Sequence, residues 1–424
     1  MLRQLRNFWI PWITTIVLAC FSHAAAQTTY RMTDLGTVGT DNESMIMSLN
    51  NEGWSYIMAG NVGGAGPNNL FGQLLNGRAY LGVYGSLLDL GSLGGPNTWM
   101  NWGEINDFAQ IVGYSETNVP DPNGEDICGF GTHLTCLPFF WQFFHMSALP
   151  TLGGNNGQAS AINDRGQIVG MAENGEVDST CPPGRANNRI QLPASWKNAK
   201  AQAQALPTGS NPDGFAFWNN DHGQVVGYTS TCGGATIYAA SWQNGTLTTL
   251  PDFGTGSLAI SVNNQGVAAG TVGSADNTTQ YGATWTNGAL TSFGLLPGDF
   301  GGQADSINSQ GQVVGGNWDS NFYWNHAFIW QNGVMTDLNT LIPENANLYA
   351  VFAAAINDRG QIGGQAVVIS GPEKGEIHSF LATPVHHKIG LSVADVVHTR
   401  PQSNFSANVS QLPLQRSGLV QVRP

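Results

Sequence analysis

An asparagine that stands three residues before a turn recurs seven times along the chain. The seven positions are Asn50, Asn106, Asn163, Asn220, Asn263, Asn308 and Asn357. In six copies, small or β-branched apolar residues and a second glycine follow the turn, most clearly in the segments 161–170 and 355–364. Repetition of this kind indicates one supersecondary unit copied many times rather than one irregular core.

Each copy reads as four short strands. Alternating apolar residues end at an Asn-Asp-x-Gly turn, where Asn and Asp tolerate turn geometry and Gly supplies a positive φ. A third strand carries a Trp and runs into an Asn-Gly turn, as at Asn244-Gly245, and a fourth resembles Met335-Thr-Asp-Leu338. Because the Trp recurs at one strand position, we predict that its copies lie in the core. They are Trp141, Trp196, Trp242, Trp285 and Trp330.

The spacing of the turns predicts the architecture. Successive turn positions lie 43 to 57 residues apart, which suits blades of four strands. Residues 30–36 have the pattern of a fourth strand, and the last copy stops after a third strand at 378–382. We therefore predict an all-β β-propeller of seven four-stranded blades, closed by pairing of the N- and C-terminal strands. An open solenoid would need capping repeats, which the sequence does not show.

The repeat resembles that of the bacterial extracellular HAF-repeat proteins. Their His-Ala-Phe stands here as His326-Ala327-Phe328 and in a weaker form at His378-Ser-Phe380. The resemblance covers about residues 30–384 and implies a secreted repeat protein, but no common activity. The chain departs from the pattern at Ala109, which replaces the turn glycine, and in long insertions between residues 60 and 240.

The N-terminal segment predicts export. Residues 1–26 combine Arg3 and Arg6 with an apolar run and the cleavage site Ala24-Ala25-Ala26, as a secretory signal peptide does. We expect cleavage after Ala26, a repeat domain over 27–384, and a tail or linker over 385–424. Lipidation of Cys20 is the alternative. The protein would then be secreted, bound at the cell surface or periplasmic, without a membrane span.

The charge excludes one class of partner. The chain has a formal net charge of −13, and removal of Arg3 and Arg6 makes it more negative by two. Nucleic-acid binding demands a basic surface, so DNA and RNA are excluded as expected partners. We expect a monomer whose partner is a glycan or an extracellular protein.

Four cysteines remain after the signal segment, an even number in an oxidising compartment. Corresponding loops of adjacent blades lie side by side, which favours pairing Cys128 with Cys136 and Cys181 with Cys232 among three possibilities. A metal site is the alternative, but the spacing of the cysteines is not that of zinc ligands.

Strand direction sorts the loops onto two faces. The short Asn-Asp-x-Gly and Asn-Gly turns share one face, which we call the tight-turn face. The long loops after each second strand share the other face, the long-loop face, with the Gly-Gly connections between units. Since insertions and cysteines fall on the long-loop face, and binding groups are most often carried by loops, we predict the site there.

The segment 317–325 supplies the candidate ligand-binding residues, because aromatic faces beside amides and a carboxylate suit sugar rings. The candidates are Trp318, Asp319, Phe322, Tyr323 and Trp324, with Trp99 and Trp102 as a second set. The alternative is that these aromatic residues pack between blades.

Catalytic and metal signals are weak. The sequence has no Gly-x-Ser-x-Gly, His-Glu-x-x-His or phosphate-loop motif, so we predict no catalytic residue, cofactor or metal. His326 and His378 occupy equivalent positions, which favours a structural role. Asp299, Asp305 and Asp319 could pair for glycosidase chemistry. Calcium on the acidic loop 121–126 is conceivable, although its spacing is not that of a calcium loop. The function indicated is an extracellular binding module. A polysaccharide-acting enzyme and a structural envelope protein are the alternatives.

Overall fold

The computed structural model describes residues 28–39, 41, 43–62, 74–83, 86–99, 103, 105–182, 188–343 and 346–385. Within these ranges every regular element is a β-strand or a short 3₁₀ helix, which confirms the all-β prediction. The predicted signal peptide, Trp102 and the tail from residue 386 lie outside the described residues.

The strands follow one another in chain order with short or long connections. They are β1 (Thr29–Gly36), β2 (Glu43–Leu49), β3 (Ser55–Val62), β4 (Leu74–Val83), β5 (Ser86–Asp89), β6 (Gly94–Trp99), β7 (Ile111–Pro120), β8 (Leu134–Gln142), β9 (His145–Ala148), β10 (Gly157–Ile162), β11 (Ile168–Val177), β12 (Arg189–Trp196), β13 (Gln204–Ala205), β14 (Asp213–Asn219), β15 (Val225–Ser230), β16 (Ile237–Gln243), β17 (Thr246–Thr249), β18 (Ser257–Val262), β19 (Ala268–Gly273), β20 (Gln280–Thr286), β21 (Ala289–Ser292), β22 (Gly301–Ile307), β23 (Val313–Trp318), β24 (Trp324–Gln331), β25 (Val334–Asp337), β26 (Leu348–Ile356), β27 (Ile362–Val368) and β28 (Ile377–Val385). The 3₁₀ helices are Cys232–Gly234 and Leu338–Leu341.

The strands form antiparallel blades of four. Five such sheets are β6–β9, β10–β13, β14–β17, β18–β21 and β22–β25. An eight-stranded sheet contains the rest, and the strand pairing between its two halves is a single parallel bridge between Glu43 and Ile377. One half is β2–β5, and the other is β26–β28 with β1. Together these sheets form a β-propeller.

The first and last described strands pair with each other, as the sequence predicts. β1 lies antiparallel to β28, from Thr29 opposite Val385 to Gly36 opposite Ser379. Tyr30 on this strand is 1% exposed and packs in the same core cluster as residues of β26 to β28. The first described strand thus supplies the fourth strand of the last blade.

The repeated asparagines form a closed ring of hydrogen bonds. Asn163 Oδ1 accepts from the backbone N–H groups of Arg165 and Gln167 at 3.1 and 3.0 Å, which fixes the turn. Its Nδ2 donates to the carbonyl of Asn220, the next copy, at 2.8 Å. The same bond joins every neighbouring pair, and Asn357 donates to Asn50 at 2.9 Å. The side chain that shapes each turn therefore also ties it to the next blade.

The second glycine of the motif is explained by a close approach. The pairing of β10 with β11 shifts register between Ala159 and Ala161. Opposite this bulge, a Cβ on Gly170 would lie 2.0 Å from the carbonyl oxygen of Gln158. In the next blade, opposite the equivalent bulge, one on Gly227 would lie 1.9 Å from that of Phe215. Only glycine fits such a contact.

The tryptophans of the third strands fill the space between blades. Trp196, Trp242 and Trp285 are at most 2% exposed. Each indole N–H donates to the carbonyl of a proline that follows the preceding blade, as Trp196 does to Pro150 at 2.9 Å. Trp141 is buried as well, whereas Trp330 is half-buried and stacks on Phe293 with centroids 4.4 Å apart. The core prediction holds for four of the five, and Trp330 sits at the edge of the core.

The first strands of the blades pack apolar side chains against one another. One cluster combines Met45 and Met47 of β2 with Phe215 of β14, Ile260 of β18 and Val351 of β26. Below the asparagine ring, on the tight-turn face, remains a cleft of about 150 Å³.

Candidate functional site on the long-loop face

Two disulfides anchor the large insertions. Cys128, in the loop between β7 and β8, pairs with Cys136 near the start of β8. Cys181, after β11, pairs with Cys232, after β15, and so joins two successive blades. Both pairs are those predicted from the sequence. Asp178 Oδ2 lies 3.3 Å from Cys181 Sγ, but in a disulfide these sulfurs are not thiolate ligands for a metal.

A buried acidic network supports the loop between β7 and β8. Asp121 Oδ1 accepts from the backbone N–H groups of Asn123 and Glu125 at 2.7 and 3.0 Å. Asn156, just before β10 of the next blade, donates from Nδ2 to Asp121 Oδ2 at 2.8 Å and to Glu173 Oε2 of its own blade at 3.2 Å. The carboxylates of the loop 121–126 were conceivable calcium ligands. In the structure they hold the loop's own backbone and a neighbouring amide, and cation binding stays a hypothesis.

Burial changes the acidity of this network. Glu173 is fully buried, and desolvation raises its pKa to about 7, with the charge of Glu125 acting in the same direction. Hydrogen bonds from Asn156 oppose that shift. The sequence did not single out Glu173, because only the fold brings β11 under the insertion from the preceding blade.

The indoles of the predicted aromatic loop are in the core. Trp318 and Trp324 are 2% and 4% exposed, and their rings meet edge to face at 5.4 Å. Trp324 also stacks on Phe352 of β26 at 4.3 Å. Trp99 is buried against Phe130 in the same way. Because protein covers these indoles, ligand binding by this loop depends on its other side chains and stays a prediction.

The exposed part of the loop is a phenylalanine pair. Phe322, in the loop, and Phe300, immediately before β22, are 41% and 40% exposed and meet edge to face at 5.8 Å. Tyr323 is half-buried beside them. Sequence reasoning missed Phe300. Its signal is a repeated Asp-Phe-Gly at 252–254 and 299–301, in which the equivalent Phe253 is also exposed.

A polar cluster adjoins this pair. Asp299, which precedes Phe300, accepts from Asn325 Nδ2 at 2.7 Å and lies 2.9 Å from His326 Nδ1. Burial by itself lowers the pKa of His326, but the hydrogen bond and charge of Asp299 outweigh it and raise the pKa. The His326 side chain is 20% exposed and that of Asp299 is fully buried. The cluster can therefore offer the imidazole of His326 and the amide of Asn325 to a ligand, because the carboxylate of Asp299 holds both in place.

The other predicted acids and histidine have local roles. His378 Nδ1 lies 2.9 Å from Asp34 of β1, so the equivalent histidine holds the strand that closes the ring. Asp319 Oδ1 accepts from the backbone N–H groups of Asn321 and Tyr323 and shapes the loop. Asp305 is fully buried and accepts from Gln303. The three aspartates considered for glycosidase chemistry thus have separate partners.

No protein-family model and no curated protein sequence matches the chain. Among solved structures, a streptogramin B lyase is similar at 7% identity and a TM-score of 0.49, over 84% of this chain and 98% of its own. A gluconolactonase from Xanthomonas campestris is similar at 8% identity and a TM-score of 0.41, over 84% of this chain and 90% of its own. The extracellular domain of a putative one-component system from B. thetaiotaomicron is similar at 10% identity and a TM-score of 0.42, over 82% and 39%. These likenesses concern the fold.

Within the described ranges, no helix has the length and apolar character needed to cross a membrane.

Proposed function

We propose that the protein is a secreted β-propeller of seven blades, related to the HAF-repeat proteins, that acts as an extracellular binding module for a glycan or a surface protein. The proposed site is the exposed Phe300–Phe322 pair with Tyr323, Asn325 and His326 beside it. Export through the signal segment 1–26 is part of the proposal, and the two disulfides are compatible with an oxidising compartment.

The observation that supports the site most is its combination of exposed aromatic rings and fixed polar groups. Phe300 and Phe322 offer apolar faces of the kind that stack on sugar rings, and aromatic residues concentrate binding energy at interfaces. Asp299 holds His326 and Asn325 in place, so their hydrogen-bonding atoms lose little freedom on binding.

An enzyme acting on polysaccharides is the second candidate, and it depends on the same cluster. A partly exposed histidine on a buried carboxylate is an arrangement that general acid–base catalysis uses. The equivalent pair of His378 with Asp34 holds β1 to β28, which favours a structural reading of both.

The test is a glycan-array screen of the full secreted protein, with product analysis of every glycan that binds. Phe300→Ala and Phe322→Ala should each weaken binding by about 1 to 3 kcal/mol, because each removes one aromatic contact. Both should leave the free energy of unfolding within about 0.5 kcal/mol, since these side chains are already exposed.

Trp318→Ala is the matched comparison. It should cost about 3 to 5 kcal/mol of stability, because it opens a cavity under the same loop. If Phe322→Ala destabilises as much as Trp318→Ala, the loop is packing and not a binding site. Cleavage of a bound glycan would favour the enzyme over the binding module as the function of the protein.

A further inference from the structure

A second cleft lies on the opposite, tight-turn face, between the β6–β9 and β10–β13 blades. Its volume is about 410 Å³. Phe108 and Phe140 line it from one blade, and Arg165 and Lys200 line it from the other. The side-chain amides of Gln110, Gln142 and Asn198 complete the wall of the cleft. The cleft has the size of a small-molecule or oligosaccharide site.

The two cations in this cleft form no ion pair with a described residue, although the carboxylate of Asp164 lines the same cleft. Among the described residues, Arg78 and Arg359 form ion pairs, and Arg189 donates to Asn123 and Gly175. The side chains of Arg165 and Lys200 make neither an ion pair nor a hydrogen bond with any described residue. Asp164 also lines the cleft, and its Oδ1 accepts from the backbone N–H of Asp107 at 2.9 Å. In a protein with a net charge of −13, two unpaired cations at one cleft point to an anionic ligand.

The aromatic residues at the cleft replace the ordinary turn residues of the repeat. Phe108 is 63% exposed, and the equivalent position in every other copy is polar or charged. Phe143 and Phe144 form the tip of the β8–β9 hairpin, at the edge of the cleft next to Gln142, and are 81% and 79% exposed. Three other blades place Asn-Gly at this tip, namely at 244–245, 287–288 and 332–333.

These replacements strain the backbone. Phe143 and Phe144 have φ values of +50° and +63°, a region that favours Asn and Gly. Ala109, beside Phe108, stands at the turn-glycine position with a φ of +54°. Strained and exposed aromatic residues lower stability without filling a core, so their presence indicates a function at this point.

We propose that this cleft binds an acidic polysaccharide, a chain of sugars that carry carboxylate groups. Arg165 and Lys200 would pair with the carboxylates, and the amides of Gln110, Gln142 and Asn198 would bond hydroxyls. Phe108 and the Phe143–Phe144 tip would stack on the apolar faces of the rings. The concave shape and the amides of the cleft favour a glycan chain over the flat surface of an anionic membrane.

This site goes beyond the proposed function, because it lies on the other face and uses other residues. The two can therefore fail separately. Phe322→Ala, which tests the long-loop site, should leave binding at this cleft unchanged.

The first experiment is calorimetric titration of the full secreted protein with an oligogalacturonate and with a neutral malto-oligosaccharide of equal length. The acidic chain should bind and the neutral one should not, and affinity should fall as salt rises. Arg165→Gln with Lys200→Gln should weaken binding at least tenfold. Lys374→Gln, an exposed cation on the long-loop face, is the matched control and should change nothing. Equal binding of both sugars, or an unchanged double variant, would overturn the proposal.

The second experiment replaces the strained tip by the residues of the other blades, Phe143→Asn with Phe144→Gly. The melting temperature should rise because the new residues adopt positive φ readily, while affinity for the acidic chain should fall. Val334→Ser, beside the equivalent tip of β24–β25, is the control and should leave affinity unchanged. If this variant melts at a lower temperature and keeps normal affinity, the Phe143–Phe144 tip stabilises the fold and does not bind the ligand. Lipid would be the ligand instead if three results came together. The parent protein would sediment with vesicles of phosphatidylcholine and phosphatidylglycerol, the tip variant would not, and neither would bind a glycan.

Discussion

The two faces of the ring hold their loops in different ways. On the tight-turn face one device repeats, since each asparagine closes its own turn and donates to the next copy, with distances between 2.8 and 3.2 Å around the whole ring. On the long-loop face each insertion has its own support. The β7–β8 loop has a disulfide and buried acids, and the β23–β24 loop has packed indoles.

This difference shows where the chain is free to vary. A repeated bond fixes the distance between blades, so a change in one copy disturbs its neighbours. A loop that is held by contacts found in no other copy can change without altering the asparagine ring, which is how repeat scaffolds acquire sites. The cleft at Phe108 is the exception on the tight-turn face. It occurs where Ala109 replaces the turn glycine and Phe143–Phe144 replaces Asn-Gly.

The largest effect should come from breaking ring closure. Deletion of residues 29–36 removes the only described strand that pairs with β28 along its outer edge, together with buried Tyr30. We expect a loss exceeding the roughly 3 to 5 kcal/mol typical of one buried aromatic side chain, because backbone pairing is lost as well. Calorimetric melting measures it. Thr33→Ala, which keeps the backbone of the same strand, should melt as the parent does, and a deletion variant that also did so would contradict closure.

A smaller effect should follow from removing one asparagine of the ring. Asn163→Ala removes one of the two donors to the buried carbonyl of Asn220, which keeps the N–H of Gly223. It also leaves two turn N–H groups without the oxygen to which they donate, so the change should cost about 2 to 4 kcal/mol. Urea unfolding measures it. Asp164→Asn is the matched control, because it keeps the oxygen that accepts from Asp107 and should stay within about 0.5 kcal/mol. Equal effects of the two changes would mean that the ring adds nothing beyond an ordinary turn.

The smallest effect should be a pH dependence on the long-loop face. The pKa of Glu173 is raised from 4.5 to about 7, so below pH 4.5 the group is protonated in both states. Between these values the unfolded chain ionises while the folded protein keeps the proton, and stability falls as pH rises. The contribution is at most about 3 kcal/mol and is complete above pH 7.

Urea unfolding at pH 4.5 and pH 8 would measure this contribution. Glu173→Gln should reduce the loss of stability between the two pH values, whereas Glu176→Gln, an exposed neighbour on the same strand, should not. A Glu173→Gln protein that keeps the full pH dependence would show that this carboxyl is ionised in the fold.

The two faces differ in how much of their structure the sequence predicts. The turns, the four-strand units, the pairing of β1 with β28 and both disulfides could be predicted, because each depends on a short motif or on loop equivalence between copies. The candidate aromatic site was predicted only in part. The segment 317–325 does contain an exposed ring, but the two tryptophans that drew attention to it are buried, and Phe300 came from a distant part of the repeat.

The sequence by itself determined the repeating unit, since hydrophobic alternation, glycine and asparagine act over a few residues and need no distant partner. Only the tertiary structure decided which side chains face solvent at the long loops, because burial there depends on what the neighbouring blade brings, as Phe352 does for Trp324 and Asn156 does for Asp121. The asparagine ring belongs to both: the side chain marks the turn in the sequence, but the carbonyl that it bonds lies 43 to 57 residues further on, or 307 residues back, and only the closed ring brings the two together.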